Sequence, residues 1–277
     1  MTRQRGQRAG EEEEFGRIGL GTAPLAFSGR SVDDGVQVTL AALESGVRLI
    51  DTALAYTRPG IESFAEGVVT SALRQWRGEQ PIVATKGGHW RDGDAFPVDG
   101  RPSALRRHCE ISLRTLGVER IDLYQLHHVD PDVPLAESVG ALAGLRDEGK
   151  VAAIGLSNVT IAQLEEARTV ASITSVQNRL SFAVREDLPM VEYCTREGIR
   201  YLAYMPLGGP GAIAGNAFAP LRSLGARTGR SAHRLAVGWV LAQSDAVVAL
   251  VGATRPASIR DSAAAAPLAP ELLADLG

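Results

Sequence analysis

Cysteine is scarce in this chain. Two of its 277 residues, Cys109 and Cys194, cannot build a disulfide framework, so a reducing compartment, the cytoplasm, is the expected location. Long apolar runs are missing as well. None approaches the roughly 20 residues that a membrane span needs. The opening stretch MTRQRGQRAGEEEE lacks the apolar core of a secretory signal, and residues 1–14 read as a solvated tail. No charge predominates. The 29 Lys plus Arg against 32 Asp plus Glu leave a net charge of −3, without the basic excess of a nucleic-acid binder. Lysine is rare too: only Lys86 and Lys150 stand among those 29 basic residues. A position that stays lysine in an arginine-rich chain points to a task a guanidinium cannot perform, because only the ammonium is compact and readily tuned in pKa. The remaining balance, 45% hydrophobic and 22% charged, is that of a folded domain and excludes a disordered or fibrous chain.

One local pattern recurs. A helix-like segment ends in Gly, and a short apolar or β-branched run follows: Gly46 before VRLIDTA, Gly117 before VERIDLYQLH, Gly149 before KVAAIGLSN, Gly198 before IRYLAYMPL. Glycine just past a helix end closes the last turn. Ser31–Asp34 and Thr160–Gln163 fit the capping-box spacing that opens a helix. Counting the runs predicts eight strands, near residues 18–22, 47–52, 81–86, 121–127, 151–157, 173–177, 199–205 and 246–252. Strands alternating with helices imply a parallel sheet covered by helices. Eight such units fit one α/β domain over residues 15–277, a (β/α)8 TIM barrel of about 250 residues. The competing doubly wound sheet announces itself with G-x-G-x-x-G after its first strand. Here Gly19-Leu-Gly21 runs into Thr-Ala-Pro, and GGPGAIAG at 208–215 breaks the fingerprint too. Residues 87–102 and 208–230, rich in Gly, Pro and Asp, read as long breaks on the face where a barrel carries its chemistry.

Polar residues stand where the predicted strands end: Asp51, Lys86, His127 with His128, Ser157 and Asn158, Gln177 with Asn178, Tyr204, and Thr254 with Arg255. Tyr56 follows Asp51 by five positions. A barrel brings all these ends to one rim. Singly, each reads as a helix cap or a solvated side chain. Together, Asp, Tyr, Lys and His make a proton-donor site. A phenol with a pKa of about 10 is a poor acid at neutral pH unless its anion is stabilised, and a nearby ammonium, itself held by a carboxylate, supplies that stabilisation. No metal is expected. Neighbouring residues on a strand point to opposite faces, which separates His127 from His128, and no further ligand stands at suitable spacing. Trp90, four residues past Lys86, reads either as pocket wall or as core; Trp76 and Trp239 read as core.

The chain resembles the aldo-keto reductase superfamily from about residue 18 to residue 261. The runs that carry the likeness are IGLGT at 18–22, LIDTALAY at 49–56, VATKGG at 83–88, SLRTLGVERIDLYQLHHVDP at 112–131, GKVAAIGLSN at 149–158, SVQN at 175–178, AYMPLG at 203–208 and VGATRPASI at 251–259. The resemblance implies a barrel that binds NADPH, or NADH, without a Rossmann domain and passes hydride to an aldehyde or ketone. It implies Tyr56 as general acid, Lys86 paired with Asp51 to lower the phenol pKa, and His127 to orient the carbonyl. It implies a cofactor site from Gly21, Thr22, Ser157, Asn158, Gln177, Tyr204, Leu207, Gly208, Gly252, Thr254, Arg255 and Asp261. In that site Ser157, Asn158 and Gln177 would hold the carboxamide, Tyr204 would stack on the nicotinamide, and Arg255 would favour a 2′-phosphate. Pocket walls would come from the loops near Pro24–Phe27, Leu54 and Trp90–Phe96, with His128 facing either the pocket entrance or solvent. The segment after Arg255 departs from many members: Ser258 and Ser262 replace a second basic residue and an Asn. The chain also ends soon after the last barrel helix, which predicts an open substrate mouth. Two other functions remain open in the sequence: a cofactor-binding regulatory subunit with little turnover, and reduction of a conjugated C=C bond, where relatives carry Glu at the position of His127. The partner expected is a small carbonyl compound, with neither nucleic acid nor membrane. The substrate, the working direction and the oligomeric state are not legible.

Overall fold

A computed structural model describes residues 15–276; the tail expected over residues 1–14 lies outside them. Eight parallel strands close into a barrel, each hydrogen-bonded to its neighbours in sequence and β1 to β8. They are β1 Ile18–Gly21, β2 Leu49–Asp51, β3 Ile82–Gly87, β4 Ile121–Leu126, β5 Val151–Ser157, β6 Ser175–Arg179, β7 Arg200–Tyr204 and β8 Val247–Gly252. Every expected strand is present, β5 with the expected bounds and the other seven with shifted ends. Both capping boxes form: Ser31 with Asp34, and Thr160 with Gln163. Gly117 and Gly198 close the helices Pro102–Leu116 and Leu188–Glu197 in the left-handed conformation, each at φ 67°. The 208–230 stretch is more ordered than its composition implies. It holds two short 3-10 turns and the helix Ala219–Thr228, because Phe218, Leu221 and Leu224 find buried sites.

The period-2 alternation of the strands sorts side chains into two cores. Leu49, Ile82, Ala84, Leu123, Leu202, Val248 and Leu250 fill the barrel interior, with Phe15 against the same cluster. The intervening residues, such as Ile50, Val83, Tyr124 and Val176, pack outward against the helices. Two residues further along the inward faces of β2, β3 and β4, apolar side chains give way to polar ones: Leu49 to Asp51, Ala84 to Lys86, Leu123 to Gln125. One end of the barrel is thus a hydrocarbon plug and the other a polar chamber. Of the two lysines, Lys86 is buried in that chamber, while Lys150 lies at the surface and pairs with Glu110 and Glu148.

A polar group outside the barrel also bears on β3. Glu66, on the helix Phe64–Gln75, is fully buried and accepts a 2.6 Å bond from the Thr85 hydroxyl. It makes no ion pair among the described residues, and burial pushes its pKa above the ordinary glutamate value, opposed by hydroxyl contacts from Thr85, Ser112 and Ser63. A folded state that holds the proton longer than the unfolded chain loses stability as pH climbs above the ordinary glutamate value, by about 1.4 kcal/mol per pH unit until the raised pKa is passed. Glu66→Gln keeps the acceptor and removes that loss. Its melting temperature should exceed that of the parent, and by more at pH 8 than at pH 5; an equal difference at both would mean Glu66 does not titrate in this way.

Candidate active site

Lys86 organises the polar chamber. Its ammonium, with a fully buried side chain, donates to Asp51 Oδ2 at 2.7 Å, to the Thr52 carbonyl at 2.9 Å and to Tyr56 Oη at 3.3 Å. All three N–H donors are therefore used. The other Asp51 oxygen accepts from Gln177 at 2.8 Å and Gln125 at 3.2 Å. Burial pulls the Lys86 pKa down, but Asp51 and Tyr56 outweigh it, and the group stays above the ordinary lysine value. Tyr56 departs from expectation. Burial dominates and lifts its pKa above the ordinary phenol value, with Lys86 acting against the rise. The ammonium restrains the phenol's pKa here; it does not bring it below normal.

Gln125 escaped the sequence reading, although it faces inward on β4 two positions before His127. Room for it comes from Gly155 on β5. A Cβ there would lie 2.5 Å from Ser175 Oγ and 2.8 Å from Gln125 Cγ. Gly155→Ala should therefore cost about 1–3 kcal/mol by overpacking, readable as a lower urea midpoint at unchanged slope; a neutral result would show that Gln125 can move aside freely.

His127 lies just past β4. Its N–H bonds the Gly87 carbonyl, its own carbonyl accepts from Asn158 Nδ2 at 3.0 Å, and its ring meets Tyr56 edge-on at 5.7 Å. Burial, then the charge on Lys86, holds its pKa well below the ordinary histidine value. The ring is neutral at neutral pH, and its Nδ1 has no bonding partner. The expected separation of His127 from His128 does not occur. β4 stops at Leu126, so alternation no longer applies, and the two rings stack 5.1 Å apart with 16° between planes. A third imidazole, His89, sits 4.9 Å from both; burial brings its pKa down to about 4. No three such groups could hold a metal ion among the described residues. Phe96 stacks on His89 at 5.8 Å, Phe27 touches Phe96 at 6.1 Å, and Phe27 returns to Tyr56 at 6.1 Å. These rings wall the mouth.

The pocket residues Trp90 and Leu54 fall elsewhere. The loop after β3 folds into a hairpin, with bridges between His89 and Val98 and between Asp92 and Ala95. Adjacent residues on such an arm face opposite sides. His89 takes the mouth, and Trp90 turns to a separate cleft of about 600 Å³ that Leu54 also lines and that none of Asp51, Tyr56, Lys86 and His127 reaches. Pro24 packs over Gly252, where a Cβ would lie 2.7 Å from its ring. Trp239 is core, as expected; Trp76 is only half-buried and donates to the Glu79 carbonyl.

On the other side of the chamber, the hydroxyl of Ser157 donates to the Gln177 carbonyl at 2.9 Å. Tyr204 Oη donates to Asn158 Oδ1 at 2.8 Å, and Asn158 holds the strained φ of 58°. Thr22 is fully buried, its hydroxyl on the Asp51 carbonyl at 3.0 Å, so its side chain braces β2. Gly21 lies beside Gly252 in the β1–β8 register. After β7 the chain turns sharply through Met205 at φ 53° and Gly208 at φ 80°, and Leu207 packs on the core between them. A Cβ on Gly208 would collide with Phe218 at 2.8 Å. Past β8 come half-buried Thr254 and then exposed Arg255, whose guanidinium has no bonding partner among the described residues. Asp261 is engaged by Arg234 at 2.9 Å and by the Ser231 hydroxyl.

A family model described as "Aldo/keto reductase family" matches residues 17–276. The chain belongs to the aldo/keto reductase family. It is 31% identical to the pyridoxine 4-dehydrogenase of Escherichia coli over 266 residues, 90% of this chain and 88% of that one. The glycerol dehydrogenase of Gluconobacter oxydans superposes with a TM-score of 0.81 at 29% identity, covering 94% of this chain and 90% of that one. An aldo-keto reductase of Klebsiella pneumoniae solved in complex with NADPH gives 0.79 at 28% identity, with 94% and 89% covered. This aldo/keto reductase is an oxidoreductase built on the family's barrel, and no helix among its described residues is long and apolar enough to cross a membrane.

Proposed function

We propose that the protein interconverts an aldehyde or ketone and its alcohol with NADPH, and that Tyr56 is the proton donor in the reducing direction. One observation carries the reading: the Tyr56 hydroxyl is 3.3 Å from a buried ammonium that Asp51 neutralises at 2.7 Å, in a chamber shared with a neutral imidazole. Bound NADPH supplies the hydride. The raised pKa of Tyr56 keeps its proton in place at neutral pH. As the carbonyl oxygen gains negative charge, the phenol hands it that proton, and Lys86 stabilises the phenolate left behind. His127, being neutral, orients the carbonyl oxygen by a hydrogen bond without competing as an acid. Alcohol oxidation runs the same steps backwards, with Tyr56 phenolate as base.

The residues present fit the cofactor. Ser157, Asn158, Gln177 and Tyr204 lie together beside the chamber. The loop after β7 has open backbone at Gly209, where a Cβ would meet nothing. The unpartnered guanidinium of Arg255 offers a fork for a 2′-phosphate. Arg255→Ala should raise the Kd for NADPH about tenfold, roughly the 1.4 kcal/mol of one charge-assisted contact, and leave NADH nearly unchanged; fluorescence titration measures both. Failure of either nucleotide to bind at millimolar concentration would overturn the cofactor assignment.

A further inference from the structure

The cleft of about 600 Å³ beside the mouth has the size of a ligand pocket, and the reading above gives it no role. It lies between the segment after Tyr56, the back of the 88–98 hairpin and the helix Pro102–Leu116. Leu54 and Ile111 supply apolar wall. Trp90 lies against His108 with ring centroids 5.4 Å apart. His108 Nδ1 accepts the Gly88 N–H at 3.1 Å, so in the neutral ring the proton sits on Nε2, a donor with no protein acceptor among the described residues. The guanidinium of Arg107, one position earlier on the helix, makes no hydrogen bond or ion pair among them either.

The charges of the lining are unequal. Arg58 spends donors on the carbonyls of Leu25 and Ala26 and lies over the Phe64 ring, and Arg91 pairs with Asp94. Glu62 is the other carboxylate of the cleft. Three guanidinium groups against two carboxylates leave the cleft positive, and Arg107 is the cation with no engagement. We propose that this cleft is a second binding site, distinct from the catalytic mouth, for a small organic anion carrying a flat ring: the anion meets Arg107 and the His108 Nε2–H, and the ring lies along Trp90. An anion between two unengaged donors forms charge-assisted bonds, and an indole offers a planar face at little conformational cost.

Calorimetric titration of the full chain with 2-naphthoate and with its neutral amide tests this without reference to turnover. The carboxylate should bind at least about tenfold tighter than the amide. Arg107→Ala, on an exposed side chain that the fold does not need, should erase that preference. Trp90→Leu should weaken both ligands, with circular dichroism confirming that the variant is folded. Phe27→Ala, in the mouth, should leave all affinities unchanged. No saturable binding of 2-naphthoate, equal binding of acid and amide, indifference to Arg107→Ala or to folded Trp90→Leu, or loss of binding in Phe27→Ala would each overturn the proposal.

Discussion

Tyr56→Phe is expected to cut kcat for every carbonyl about 100- to 10,000-fold, the span of a positioned general acid, while NADPH binding stays as it was. The ring remains, so its contacts with Phe27 and His127 survive. Only the hydroxyl proposed to donate the proton is lost. Lys86 gives up one of three acceptors but keeps Asp51 and the Thr52 carbonyl, so the variant should fold normally. Single-turnover rates separate proton donation from product release. An unchanged rate would remove Tyr56 from the chemistry and, with it, the reading of the protein as a reductase that works through this phenol.

The second large effect is on stability. In Asp51→Asn the Lys86 ammonium stays fully buried without its counter-charge, and removing one partner of a buried ion pair typically costs about 3–5 kcal/mol. The pH dependence should also change sign. In the parent, Lys86 titrates above the ordinary lysine value because Asp51 and Tyr56 overcome burial. It therefore contributes stability that is complete below the unfolded lysine pKa and lost as pH rises through the folded one. Without the carboxylate, burial prevails and the folded pKa drops below the unfolded value. The folded state then binds fewer protons in that window, and stability rises with pH. Urea unfolding at pH 7 and pH 9.5 should show Asp51→Asn recovering part of its deficit at the higher pH. A deficit that stays constant or deepens would show that the lysine does not titrate there.

The barrel was legible because its signals are local and repeated. Glycine closures, capping boxes and apolar runs each need only a few neighbouring residues, and together they mark every strand. The convergence of Asp51, Tyr56, Lys86 and His127 was legible because side chains at strand ends share a rim whatever the loops do. Gln125 was readable in principle from the period of β4 but lay one step inside the rim. Phe27 and Phe96 bound two of the loop segments expected to wall the pocket, but His89 and the reversal of Trp90 were not readable, since they depend on a hairpin within a glycine-rich loop that places alternate residues on opposite sides. The stacking of His128 on His127 turned on the single residue at which β4 ends. The direction of the Tyr56 shift depended on how deeply the phenol is buried, which tertiary packing decides.

The bond from Gln177 to Asp51 joins positions 126 residues apart, and it lies inside a ring whose last strand pairs with its first. During synthesis, then, a growing polypeptide lacks the full set of bonds that hold Asp51 until its sixth strand has left the ribosome, and has no closed vessel around the site until the eighth follows. Half-made copies would be inert, unable to drain the cell's reduced nicotinamide. For the same reason, complementary fragments should regain turnover only on reassociation, never singly.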